Sequence, residues 1–104
     1  KSWATNVYWM YSVVLNGGLP ERDIVRERLE ESGIETRAFF QPLHRQPVFL
    51  DMGVSSDSDS LPVCEDLGRR GLYLPSGPGL EESTIDEISQ ELLDALKGPA
   101  KRLA

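Results

Sequence analysis

Strand, helix, strand, loop, helix, strand, helix: that order of elements, legible in the sequence, predicts an α+β fold, a two-layer sandwich of sheet and helices. Three observations predict it. The run Thr5–Leu15 is rich in β-branched and aromatic residues, two later segments carry apolar residues at spacings of three and four, and glycine or proline punctuates the joins. A length of 104 residues fits one domain with a modest core.

Thr5–Leu15 reads as the clearest strand. Val7, Trp9, Tyr11, Val13 and Leu15 point one way and Tyr8, Met10 and Val14 the other. Both faces are largely apolar, so burial on both sides is expected. Asn16-Gly17-Gly18 signals a turn, after which Pro20 suits the first turn of a helix with Glu21 and Asp23 near its positive end. Ile24, Val25 and Leu29 form that helix's apolar stripe and Gly33 stops it. Ile34–Phe40 reads as a second strand. Residues 41–60 show no periodicity; their proline and aromatic half is expected to be ordered and the serine and aspartate half mobile. Ser60 can cap a helix with Pro62 in its first turn, running to about Arg70 and stopped by Gly71. Leu72–Pro75 is a brief strand closed by the turn Ser76-Gly77-Pro78-Gly79. A last helix from Glu81 to Leu96 carries Ile85, Ile88, Leu92 and Leu96 on one stripe, and Gly98-Pro99 ends it. The domain is thus expected over residues 1–98, with 99–104 a tail.

Eleven basic against 17 acidic residues give a formal net charge of −6, a field that repels phosphate backbones and argues against a nucleic-acid surface. No apolar run approaches the roughly 20 residues that span a bilayer, and no charged-then-apolar leader is present. A lone cysteine, Cys64, fits a reducing cytoplasm and reads as a small core residue; one cysteine and one histidine do not make a structural zinc set, so no metal is expected. The opening Lys1-Ser2-Trp3, with no methionine and a strand beginning within a few residues, points to a piece of a longer chain.

The only histidine, His44, lies between Pro42 and Pro47 in FFQPLHRQPVF. Packing and one hydrogen bond would account for it. As a loop residue on a rigid scaffold it could also touch a ligand, near neutral pH as a donor to a phosphate or a carbonyl oxygen. Arg45 and Arg37 would add anion-binding capacity nearby, although Arg37 also reads as an ordinary surface arginine at a strand end. The Ser76–Gly79 turn lacks the glycine spacing of a dinucleotide fingerprint and the lysine of a P-loop. The three lysines, Lys1, Lys97 and Lys101, stand at the ends of the chain, where a desolvated imine-forming pocket is implausible. The residues alone therefore give a ligand-binding or interaction domain without a catalytic set: a free-standing small-molecule-binding regulatory domain or a dimerisation module.

NVYWMYSVVL (6–15), GIETRAFFQPLHRQPVF (33–49), LPVCEDLGRRGLYLPSGPGL (61–80) and IDEI (85–88) together resemble, in order, the C-terminal domain of sugar-nucleotide aminotransferases of the DegT/StrS type, close to perosamine synthases. The resemblance implies the small domain of a fold-type I pyridoxal phosphate enzyme, with a small, mostly antiparallel sheet. It implies a homodimer that moves an amino group, usually from glutamate, onto a nucleotide-linked keto-sugar. The cofactor lysine and most phosphate ligands would belong to a large N-terminal domain outside this chain. By resemblance, His44 would bind the sugar or its diphosphate, and Arg37 and Phe40 would shape the pocket; Arg45, for its anion-binding capacity beside His44, is counted with them as a substrate-binding residue. Two positions depart from the pattern: Glu81 where a capping threonine is expected, and Ala38 where proline is frequent.

Overall fold

The computed structural model describes residues 1–98; the expected tail, 99–104, lies outside the described residues. The elements are β1 (Tyr11–Val14), α1 (Arg22–Glu31), β2 (Arg37–Ala38), a 3₁₀ turn (Leu43–Arg45), α2 (Pro47–Asp51), α3 (Pro62–Arg70), β3 (Gly71–Leu74) and α4 (Glu82–Leu96). The α+β class expected from the sequence is the class observed. The three strands form one sheet in the order β1-β3-β2, with both pairings antiparallel.

Helix α1 buries Ile24, Val25 and Leu29, the stripe its spacing dictates. Pro20 does not open its first turn: Glu21 is the N-cap, and buried Pro20 precedes it. At the other end Gly33 adopts φ +79°, the left-handed conformation that lets the chain reverse, and the Ile34 amide donates to the Leu29 carbonyl at 2.8 Å. The core joins Val25, Leu29 and Ile34 to Leu15, Leu72 and Leu74 of the sheet region and to Ile88 and Ala95 of α4. The Arg28 guanidinium donates to the Ala95 carbonyl at 2.6 Å, and the Ser32 hydroxyl to Glu91 at 2.8 Å, which fixes α1 against α4.

Strand β1 is much shorter than the expected Thr5–Leu15, and it is not buried on both faces. Val7, Tyr8, Trp9 and Tyr11 are exposed. The register gives the reason. Tyr11 pairs with Leu74, the last residue of β3, and the next residue, Pro75, has no N–H with which to continue the ladder. Tyr8, at φ +50°, turns the chain away from an extended course. Strand β2 is likewise cut to Arg37–Ala38, extended by one further bond from the Phe39 amide to the Gly71 carbonyl at 3.1 Å.

Residues 41–60 are more regular than expected: they hold the 3₁₀ turn and α2, with Pro47 opening α2. His44 thus lies in a helical turn rather than in irregular backbone. The serine and aspartate half folds back on itself, the Ser56 amide donating to Asp59 Oδ2 at 2.8 Å. Leu61, not Ser60, is the N-cap of α3. No residue of α3 is buried, which overturns the core reading of Cys64: it is exposed, as is Val63. Polar anchors, not an apolar stripe, hold this helix. Arg22 donates to the Gly68 carbonyl at 2.6 Å, and Arg70 donates to the Leu15 carbonyl while gripping Asp66 through Nη2 at 2.5 Å.

Candidate functional site: a clamped proline loop beside an aromatic sheet face

Alternation along β3 sends Leu72 and Leu74 into the core, which leaves Gly71 and Tyr73 for the other face. On that face Phe39 lies over Gly71, where an added Cβ would stand 2.3 Å from the ring. Phe39 also stacks on Tyr73 at 4.6 Å between centroids, and Phe40 tilts against the same ring at 5.5 Å. Phe40 nevertheless remains 65% exposed. Arg37 pairs in register with Tyr73 and so shares its face; its guanidinium is exposed and lies 3.8 Å from Glu35.

After Phe40 the chain passes over α3, where the Pro42 ring sits against Gly68. The Arg45 amide then donates to the Pro42 carbonyl at 2.9 Å and closes the 3₁₀ turn; Gln46 Nε2 donates to the Gln41 carbonyl at 2.9 Å. This turn delivers His44 and Arg45 to one carboxylate. His44, 9% exposed, donates through Nε2 to Glu65 Oε1 at 2.7 Å, and its Nδ1 is buried with no partner among the described residues. Arg45 donates through Nη2 to the same oxygen at 3.2 Å and through Nη1 to the Asp57 carbonyl at 3.1 Å. The Leu61 amide adds a third donor to Glu65 Oε1 at 3.2 Å. These donors, His44 first, then Leu61 and Arg45, hold the Glu65 carboxyl below the usual carboxylate range. Its side chain is only about two-thirds buried, so water screens part of that effect.

Of the four candidate residues, the structure joins His44 and Arg45 on Glu65 and sets Arg37 and Phe40 beside Tyr73. Glu65, Tyr73 and Phe39 complete the arrangement and were not singled out from sequence. Tyr73 was findable, because it alternates with two core leucines in a strand. Glu65 gave no local signal: it stands 21 residues from His44, on a separate helix.

No described lysine is placed to hold a carbonyl cofactor. Lys1 lies over the Trp3 ring at 5.5 Å, and exposed Lys97 pairs with Asp94 at 2.6 Å. Among the described residues there is also no group of three His, Cys, Asp or Glu that could hold a metal ion, and no helix long and apolar enough to cross a membrane.

Known proteins resemble this chain in sequence and in fold. The chain is 41% identical over 85 residues to EpsN of Bacillus subtilis, a protein assigned as a pyridoxal phosphate-dependent aminotransferase; the match covers 82% of this chain and 22% of that protein. It is 39% identical over 84 residues to the GDP-perosamine synthase of Caulobacter vibrioides, covering 80% of this chain and 22% of the synthase. The chain therefore spans about a fifth of the length of the curated relatives it matches. Among solved structures, a DegT DnrJ EryC1 StrS aminotransferase from Brucella abortus superposes with a TM-score of 0.68 at 29% identity, over 86% of this chain and 22% of that one. Helicobacter pylori PseC shares the fold, with a TM-score of 0.72 at 15% identity over 85% of this chain and 23% of that one. The sequence pattern of the DegT/DnrJ/EryC1/StrS aminotransferase family matches residues 1–93, and the chain belongs to that family.

Proposed function

We propose that residues 1–98 are the small, C-terminal domain of a pyridoxal phosphate-dependent aminotransferase that moves an amino group from glutamate onto a nucleotide-linked keto-sugar. The relatives named GDP-perosamine synthase support this substrate class. In this reading the enzyme is a cytoplasmic homodimer, and this chain by itself is catalytically incomplete.

The cofactor does not fit the described residues, since no lysine among them faces an enclosed pocket. We therefore assign it mainly to residues outside this chain. When bound, it supplies the chemistry of amino transfer. The work left to this domain is binding, orientation and exclusion of water.

One observation carries the proposal. The loop 39–46 is clamped to α3 and β3 from both ends, yet it keeps Phe40 exposed and carries Arg45, with Arg37 on the adjacent sheet face. An aromatic ring beside guanidinium groups suits a sugar linked to a diphosphate, because the ring packs on the sugar while forked N–H donors meet phosphate oxygens. Prolines at 42 and 47 leave the loop little entropy to lose when a ligand binds. Arg37, Phe40, His44 and Arg45 make up the proposed substrate-side wall. The test is His44→Ala in the full-length enzyme. The sugar-nucleotide KM is expected to rise with the cofactor absorbance intact; an unchanged KM and kcat would remove His44 from the wall.

A further inference from the structure

We infer that Arg45 is this loop's contact to the diphosphate of a sugar nucleotide, and that His44 and Glu65 act through Arg45 as positioning residues. The inference rests on the substrate-side reading above and divides the roles within it. His44 has little left to offer a ligand directly. Its ring is 9% exposed, Nε2–H is spent on Glu65 at 2.7 Å, and Nδ1 is closed to solvent. Arg45 is the reverse. Its side chain is 31% exposed, and two of its five N–H groups are engaged among the described residues, which leaves three for an acceptor.

The two engaged bonds matter for what the others can do. Held between the Asp57 carbonyl and Glu65, the guanidinium has little rotamer freedom left to lose. The Glu65 carboxylate offsets the charge of Arg45, so the gain on binding comes from directed N–H···O bonds and not from net positive charge. His44 and the Leu61 amide fix the position of that carboxylate. Arg37 has no such support; its one acidic neighbour is 3.8 Å away and also exposed.

Calorimetric titration of the full-length holoenzyme with GDP, dTDP and UDP, and with the matching nucleosides, tests this. Arg45→Ala is expected to weaken the nucleoside diphosphate that the unaltered enzyme binds by about 10- to 100-fold, the scale of hydrogen bonds to a charged group, and to leave its nucleoside unchanged. His44→Ala and Glu65→Leu should each weaken the diphosphate about tenfold, the scale of a lost orienting partner. His44→Gln should recover most of that, because its amide can still donate to Glu65. Adding His44→Ala to Arg45→Ala should cost nothing more. Additive losses would show that His44 touches the ligand itself and would overturn the division of roles, as would an Arg45→Ala enzyme that binds the diphosphate normally. An unaltered enzyme that binds none of the three diphosphates would overturn the substrate-side reading, and this inference with it.

Discussion

Gly71 shows what a single side chain can decide. A Cβ there would stand 2.3 Å from the Phe39 ring, so the aromatic face exists only because position 71 has none. Gly71→Ala is expected to displace Phe39 and to lower stability by about 1–3 kcal/mol, the usual cost of overpacking, as read from the midpoint of urea unfolding. Glu65 makes a second residue-scale prediction. Its folded carboxyl titrates below the usual range, as do those of Asp23 and Asp66, which are bonded first to Arg22 and Arg70 respectively. Groups lowered in this way stabilise the fold above the ordinary carboxylate range, and that contribution is lost as pH falls through their lowered values. Urea midpoints should therefore drop as pH is taken below about 4, and they should drop less in Glu65→Gln. An equally steep loss in that variant would mean that Glu65 is not one of the groups responsible. The candidates His44, Arg45, Arg37 and Phe40 were legible because a histidine and arginines among prolines and aromatics are conspicuous locally. Glu65 was not, because a contact across 21 residues leaves no mark in a sequence window.

At the scale of elements, helices α1 and α4 follow from patterning, whereas the strand lengths do not. Gly33 stops α1 where a left-handed residue was expected, and the stripe of α4 supplies Ile88 to the core, although Ile85 on the same stripe stays half exposed. The long apolar run 5–15 misled because propensity says that residues can form a strand, not that a partner strand reaches them; β3 offers partners only as far as Leu74. Helix α3 misled in the opposite way. Val63, Cys64 and Leu67 look like a core stripe, but Arg22 and Arg70 hold the helix near its C-terminal end, and those residues stay exposed. The N-terminus of α4 is open to improvement. Glu81 is its N-cap, in extended backbone, and makes no side-chain cap bond. Glu81→Asp keeps the negative charge that a helix N-terminus favours and brings the carboxylate within reach of the first-turn amides. It should raise stability by about 0.5–1 kcal/mol, seen as a higher urea midpoint at unchanged m; no shift, or a lower midpoint, would mean that the local backbone cannot accept the cap.

The molecule as a whole is under-covered. Its accessible surface is 7980 Å², against roughly 5,800 Å² for a compact chain of this length. The excess includes Trp3, Val7, Tyr8, Trp9 and Tyr11 ahead of and within β1, and a groove of about 560 Å³ in which Tyr11 and Val13 face Ile88 and Leu92. Exposed apolar residues gathered in this way suit a protein interface, and the relatives are nearly four times as long as this chain, since 85 aligned residues make up 22% of EpsN. Both tryptophans of the separate chain should accordingly emit as solvated indoles and be quenched readily by iodide; protection of either would place a cover over it. The central claim, that this domain forms the sugar-nucleotide side of an aminotransferase site, meets its most direct test in steady-state kinetics of full-length Phe40→Ala/Arg45→Ala with the two substrates varied separately. The account predicts a KM for the sugar nucleotide raised about tenfold or more and a KM for glutamate left within about twofold. An increase confined to glutamate, or no increase in either, would contradict it.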